Sequence, residues 1–319
     1  MSNVRRRMRK LLHLASASVL WLCSTTVGAQ DLFLQRISTS LLEEGRPVTL
    51  ELAISKPKGD GPFPTLVFNH GSVSNGNDPR EVTHTVTYPE LAAFFNERGW
   101  LVVFPQRRGR GKSEGRYAEG WQPEAGRYTC DPSASSAGLQ HAIQDISEVT
   151  QYLRSRTDVD QSRMLIGGHS KGGILAMAFA ATQPERFVGV LNFVGGWVGE
   201  RCETAEKINV PAFVKAAAFP GPTLWLYGER DPYYSIAHSQ QSFAAFTSAG
   251  GKGVFHALTF GLLRNDHQIV RNRAIWSEPM SLFLSGLNLC QGAVAEAASN
   301  PSIERTCPGK PGQASHLKR

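Results

Sequence analysis

Ser170 stands at the centre of Gly168-His169-Ser170-Lys171-Gly172, a G-x-S-x-G pattern whose meaning depends on what flanks it. Arg163-Met164-Leu165-Ile166 ahead of it is a short apolar run of strand type. Ile174 to Ala181 behind it is an Ala-rich helix former that Pro184 stops. The serine therefore sits on a tight turn from a strand into a helix, where both backbones pass close together and only small residues fit. Such a turn lifts the hydroxyl clear of the sheet at a helix N-terminus. The amide of Lys171 then faces the negative charge that develops on an attacked carbonyl oxygen. The chemistry implied is attack of a hydroxyl on an acyl carbon.

A serine hydroxyl is a weak nucleophile and needs a base, with an acid to orient that base. In an open sheet these groups lie beyond the carboxyl ends of strands. Asp231 is the candidate acid: it follows the strand-like run Thr223 to Tyr227, on a turn closed by Pro232. Glu229 competes with it, and Asp266 ranks lower because it adjoins the candidate base. That base is His267, in Arg264-Asn265-Asp266-His267 after the run Val254 to Phe260. His256 lies inside that run, His238 on a helix, and His84, His141 and His316 outside the expected loops. His169 reads as packing, because a tight turn sends neighbouring side chains apart. His70-Gly71 closes the run Thr65 to Phe68, and the amide of Ser72 after it is a candidate second oxyanion donor.

The remaining elements must position these groups. Pro47 to Ile54 alternates as a half-buried strand; Thr65 to Phe68, Trp100 to Phe104 and Phe187 to Val194 are continuous apolar runs of the kind buried in parallel sheets. Leu91 to Arg98, Leu139 to Arg156, Ile236 to Phe246 and Ile275 to Leu287 read as helices, the second with Ile143, Ile146, Val149, Tyr152 and Leu153 on one face. Residues 105–137 form a long Gly- and Arg-rich connection, and residues 195–221 are irregular. Tyr117, Trp121, Tyr128, Trp197 and Phe213 in these two segments are candidates to shape a pocket. Strand and helix alternate, which predicts an α/β fold: a mostly parallel, doubly wound sheet flanked by helices.

Arg107-Arg108-Gly109-Arg110-Gly111-Lys112-Ser113-Glu114-Gly115 is not a phosphate loop, since Gln106 stands where a Walker pattern needs glycine. It reads as a structural loop with Arg108 tied to backbone carbonyls.

Asn69-His70-Gly71, the Arg108 to Gly115 loop, Gly168 to Gly173, Asp231 and His267 occur in the order seen in the α/β-hydrolases. Over roughly residues 45–290 the chain resembles the dienelactone-hydrolase-like and prolyl-oligopeptidase-like serine esterases. The resemblance implies an α/β-hydrolase fold, a Ser170-Asp231-His267 triad, oxyanion donors at Ser72 and Lys171, and hydrolysis of carboxylic esters. It departs from dienelactone hydrolases in having Ser170 where they carry cysteine, and no propeller-sized N-terminal domain precedes it.

With 319 residues, 41% of them hydrophobic, the chain can form one large α/β domain, expected over residues 30–290. Its net charge of +7 is concentrated at the start. Residues 1–29 hold five basic residues and no acids, and without them 29 bases face 27 acids, a net charge of +2. That balance argues against a nucleic-acid surface. The basic start, the apolar run Leu11 to Cys23 and Val27-Gly28-Ala29 read as a signal peptide that leaves Gln30 as the new terminus of a secreted or periplasmic protein with no stable membrane anchor. Cys130, Cys202, Cys290 and Cys307 then remain; Cys130–Cys202 and Cys290–Cys307 are the favoured pairs. Residues 291–319, rich in Gly, Pro, Ala and Ser, read as a poorly ordered tail. The expected partner is a small-molecule ester. The chemistry needs neither cofactor nor metal, and peptide or amide cleavage by the same triad is the main alternative, a non-catalytic binding module the more distant one.

Overall fold

Apolar runs bounded by turn residues become strands whose two faces are both covered, and these build one eight-stranded sheet. The structure, a computed structural model, describes residues 31–261 and 265–287. Strands β1 (Asp31–Glu43), β2 (Arg46–Lys56) and β3 (Phe63–Asn69) precede helices α1 (Pro79–Val82) and α2 (Pro89–Asn96), then β4 (Leu101–Gln106). A small hairpin, β5 (Trp121–Gln122) and β6 (Arg127–Tyr128), leads to α3 (Pro132–Arg154), β7 (Val159–His169), α4 (Lys171–Thr182) and β8 (Gly189–Phe193). The chain continues through α5 (Ala205–Ala216), β9 (Pro222–Gly228), α6 (Ile236–Ser248) and β10 (Lys252–Leu258) to α7 (Arg273–Gly286), the last element among the described residues.

The sheet order is β1-β2-β4-β3-β7-β8-β9-β10. β2 pairs antiparallel with β1 and β4, and every later pairing is parallel. The middle of the sheet is buried, with Leu66, Val67, Phe68, Leu165, Ile166, Val190 and Leu191 inaccessible. The chain steps from β3 to β4 in one direction and from β4 to β7 and on to β10 in the other, so right-handed crossovers place helices on both faces of the sheet. α2 and α7 meet through the edge-to-face rings of Phe94 and Trp276, 5.1 Å apart.

Four expectations are corrected. β2 is not half-buried: from Leu50 to Ser55 every residue is buried, because the Arg107 to Glu114 loop, Asn96 of α2 and Thr85 meet what alternation suggested was a free face. α3 starts seven residues before Leu139, at Pro132, where Asp131 caps it by accepting from the amide of Ala134 at 2.7 Å. Residues 195–221 are not irregular, since they contain α5, which tolerates Pro211 inside it. Arg108 is held mainly by a carboxylate: Nε donates to Asp145 at 2.5 Å, with the carbonyl of His141 as a further acceptor at 2.9 Å. β1 and the β5–β6 hairpin are additional to the expected elements. The favoured Cys130–Cys202 disulfide is present, joining the chain just before α3 to the chain just before α5. Cys290, Cys307, the signal segment and the tail lie outside the described residues.

Candidate active site

The turn at Ser170 is as tight as its sequence requires. Ser170 has φ 57° and ψ −122°, a left-handed conformation that an L residue rarely adopts. A Cβ on Gly168 would sit 2.2 Å from the carbonyl oxygen of Gly172, and one on Gly172 would sit 2.1 Å from that of Asn69. Both glycines are therefore obligatory for the approach of α4 to β7 and β3. Lys171 is the first residue of α4, so its N–H has no carbonyl one helical turn behind it and is free to face a ligand.

Ser170, Lys171, Ser72 and His267 line one cleft of about 980 Å³. Asp231 stands behind His267. Its Oδ2 accepts from His267 Nδ1 at 2.7 Å, while its Oδ1 accepts from the amides of Tyr233 and Tyr234 at 2.8 and 3.2 Å. The carboxylate is thus oriented by two backbone donors, and it fixes the His267 tautomer with Nε2 left unprotonated. Glu229 is exposed and takes no part. Asp266, fully buried, accepts from the amides of Arg230 and Phe260, and so shapes the turns on either side of the site. His256 is half-buried within β10, and His238 is on α6.

His169 is more than packing. Its Nε2 lies 2.7 Å from the carbonyl oxygen of His267, and its Nδ1 lies 3.3 Å from the hydroxyl of Tyr88. Burial, reinforced by the neighbouring His267, pulls its pKa from 6.5 down to about 3, so His169 is neutral and donates through Nε2. His70 is neutral for the same leading reason, burial, with Arg107 and Arg110 adding to it. It accepts the Arg107 amide on Nε2 at 3.3 Å and donates from Nδ1 to the carbonyl of Gly71 at 2.7 Å. A Cβ on Gly71 would lie 3.2 Å from that of Ser170, so the His70-Gly71-Ser72 segment passes directly over Ser170.

The side chain of Lys171 is the group that sequence reasoning missed. It is buried, donates to the carbonyl of Glu119 at 2.5 Å, and lies 3.8 Å from the ring centroid of Tyr128 and 4.5 Å from that of Trp197. Burial pulls its pKa from 10.5 down to about 7, against the attraction of Glu119. Glu119 is itself buried and forked onto Arg107, whose Nη1 donates to the carbonyl of His70 at 2.9 Å. A lysine at the first position of an otherwise apolar helix, with a long aromatic connection elsewhere, is the only sequence signal of this cluster. Of the aromatic candidates, Tyr128 and Trp197 line the cleft. Trp121 covers Gly76 at the hairpin, Tyr117 bonds Tyr128 hydroxyl to hydroxyl at 2.7 Å, and Phe213 is core, 4.7 Å from the ring of Trp225. Among the described residues no group of His, Cys, Asp and Glu could hold a metal ion, and no helix is long and apolar enough to cross a membrane.

Residues 79–198 match the family described as serine aminopeptidase, S33. Solved structures are similar at low identity. An esterase of Pyrococcus furiosus is 14% identical, with a TM-score of 0.52 over 82% of this chain and 91% of its own. Est1E of Butyrivibrio proteoclasticus, solved with ferulic acid bound, is 15% identical, with a TM-score of 0.50 over 75% and 97%. An acylaminoacyl peptidase of Pyrococcus horikoshii is 17% identical, with a TM-score of 0.51 over 80% of this chain but only 42% of the larger peptidase. A parallel sheet led by an antiparallel strand pair, a serine strained on the turn from β7 to α4, and these matches lead to one conclusion: the chain has the α/β-hydrolase fold.

Proposed function

We propose that the protein is an exported serine hydrolase that cleaves carboxylic esters. The observation that carries this reading is the bond of His267 Nδ1 to Asp231, which leaves Nε2 basic in the cleft that Ser170 lines. His267 Nε2 removes the Ser170 proton as Oγ attacks the carbonyl carbon. The amides of Lys171 and Ser72 hold the oxyanion. Collapse expels the alcohol, which takes its proton from His267 and leaves an acyl group on Ser170. Water then attacks this acyl-enzyme, giving one proton to His267, and the acid is released with Ser170 restored. The protein's own groups perform every step, with no cofactor or metal, on a small-molecule ester; export rests on the basic and apolar pattern of residues 1–29.

Amide or peptide cleavage is the second reading, favoured by the match to a serine aminopeptidase family. A fluorophosphonate probe labels Ser170 under either reading. Rates on a matched p-nitrophenyl ester and p-nitroanilide of the same acid then separate them: an ester rate at least ~1,000-fold higher is expected, and comparable rates assign a peptidase. No labelling of Ser170 overturns both.

A further inference from the structure

Ser72 and Lys171, the residues whose amides would hold the oxyanion, come from different parts of the chain: Ser72 follows β3 and Lys171 opens α4. The spacing of the two amides therefore depends on what ties these segments together. Ser72 is exposed and makes no hydrogen bond of its own among the described residues, so its neighbours place it. On one side the carbonyl of His70 accepts from Arg107 Nη1 at 2.9 Å, and that of Gly71 from Arg110 Nη1 at 3.4 Å. On the other side Val73 is buried, and its amide and its carbonyl both need a partner. The hydroxyl of Tyr128 serves both, accepting from the Val73 amide at 3.2 Å and donating to the Val73 carbonyl at 3.1 Å. The ring of the same tyrosine lies against the Lys171 amine, 3.8 Å from its centroid. Tyr128 is itself well held. It pairs with Trp121 across the β5–β6 hairpin, with the two rings edge to face at 5.0 Å, and the Cys130–Cys202 disulfide anchors the chain two residues further on.

On the hydrolase reading above, we propose that Tyr128 is a positioning residue for the oxyanion hole, its hydroxyl fixing the segment that carries the Ser72 amide and its ring fixing the side chain of Lys171. Tyr128 lines the cleft, but its hydroxyl has one proton, and that proton goes to the Val73 carbonyl. Tyr117 is then the donor in the 2.7 Å bond between the two tyrosine hydroxyls. Tyr128 so has no proton to offer a substrate oxygen, and it acts through the two amides. An oxyanion donor works only within about 2.7–3.1 Å of the charge it holds, and a misplacement of about 1 Å can cost about 100-fold in rate. Without its hydroxyl, Val73 keeps neither bond, and the Ser72 amide is free to drift from the Lys171 amide across the cleft.

The test is Tyr128→Phe, which removes the hydroxyl and keeps the ring on Lys171. On a p-nitrophenyl ester kcat is expected to fall at least ~10-fold, with KM changed less than ~3-fold. The second measurement is inhibition by a trifluoromethyl ketone of the same acyl chain. Ser170 Oγ adds to its carbonyl carbon, the Ser170 proton passes to His267, and the carbonyl oxygen becomes the anion that the two amides hold. Its affinity is expected to fall by the same factor as kcat/KM. A residue that only stabilises the fold would lower the melting temperature and leave both readouts unchanged in the folded protein. The proposal is overturned by an unchanged kcat, by a rise in KM with kcat held, which would make Tyr128 a substrate contact, or by a loss of kcat with ketone affinity unchanged. Should Tyr128→Phe fail to fold, Tyr117→Phe decides by the same readouts. Tyr117 lies outside the cleft lining, so an effect there cannot come from substrate contact. Loss of its bond to Tyr128 is expected to lower kcat at least ~3-fold with KM unchanged, and an unchanged kcat overturns the proposal. Fluorophosphonate labelling of Ser170 in the wild type separates the two failures. Labelling with full kcat in the variant sinks the role of Tyr128 alone, whereas no labelling sinks the hydrolase reading and this role with it.

Discussion

His169 Nε2 lies 2.7 Å from the backbone carbonyl oxygen of His267, so the residue beside the candidate nucleophile holds the main chain of the candidate base. The two rings lie 4.8 Å apart, and burial keeps His169 neutral, which removes a competing cation from the site. Replacing it with alanine frees the loop that carries His267. We expect His169→Ala to lower kcat by ~10-fold or more with little change in KM, and His169→Gln, which keeps a donor, to recover part of that loss. Steady-state kinetics on an activated ester check it; a change confined to KM would assign His169 to substrate binding instead.

Ser170→Ala and His267→Ala are each expected to lower turnover of an activated ester by at least ~1,000-fold with the fold intact by circular dichroism. The double variant should be little worse than either, because the two act as one unit. Asp231→Asn should be milder or equal. Glu229→Gln and His256→Ala serve as controls, since both lie away from the cleft. Loss of activity in Glu229→Gln but not in Asp231→Asn would move the acid by two residues.

Lys171 makes a prediction about stability. Its pKa is lowered on folding from 10.5 to about 7 by burial. Between those values the unfolded chain holds a proton that the folded chain has released, so stability from this group rises with pH across that window. Relative to Lys171→Met, the wild type should gain up to about 1.4 kcal/mol per pH unit between pH 7 and 10, less whatever the faces of Tyr128 and Trp197 return to the cation. Urea unfolding of both proteins at several pH values measures it. A constant difference between them would mean that the amine does not change its protonation on folding.

Gly172→Ala should abolish folding or destabilise the protein by several kcal/mol, because its Cβ would lie 2.1 Å from the carbonyl oxygen of Asn69, a backbone atom at the end of β3 that cannot yield. Thermal melts check this, with Gly45→Ala as the contrast: nothing lies within 4 Å of its Cβ, and only the positive φ of 74° opposes the change.

Cys130→Ser/Cys202→Ser opens a loop of 72 residues, and in the chain-entropy view that lowers stability by about 4 kcal/mol. The loss should fall on the starts of α3 and α5, which the bond joins, and hydrogen exchange should rise there first. Uniform exchange across the sheet would argue that the disulfide stabilises only through the unfolded chain.

Local chemistry determined much of this from the sequence alone. The turn at Ser170 was legible because its glycines act on neighbours a few residues away, and the buried strands were legible because a parallel sheet makes them apolar on both faces. Asp231 and His267 could be named from their places after strands, yet their 2.7 Å contact spans 36 residues and exists only once β9 and the loop after β10 lie side by side. β2 misled because alternation reports only the free-standing strand. Its polar Glu51 is buried, accepting from the amide of Lys112 at 2.8 Å and from Thr85, partners distant in sequence. α5 was hidden by Pro211 and a weak apolar pattern, and packing against α4 and α6 stabilises it where propensity does not. The side chain of Lys171 went unremarked in the sequence, because lysine is usually solvated. Its burial follows from Glu119 and Tyr128 of the connection before α3 and Trp197 of the one after β8, which only the tertiary fold brings around one amine.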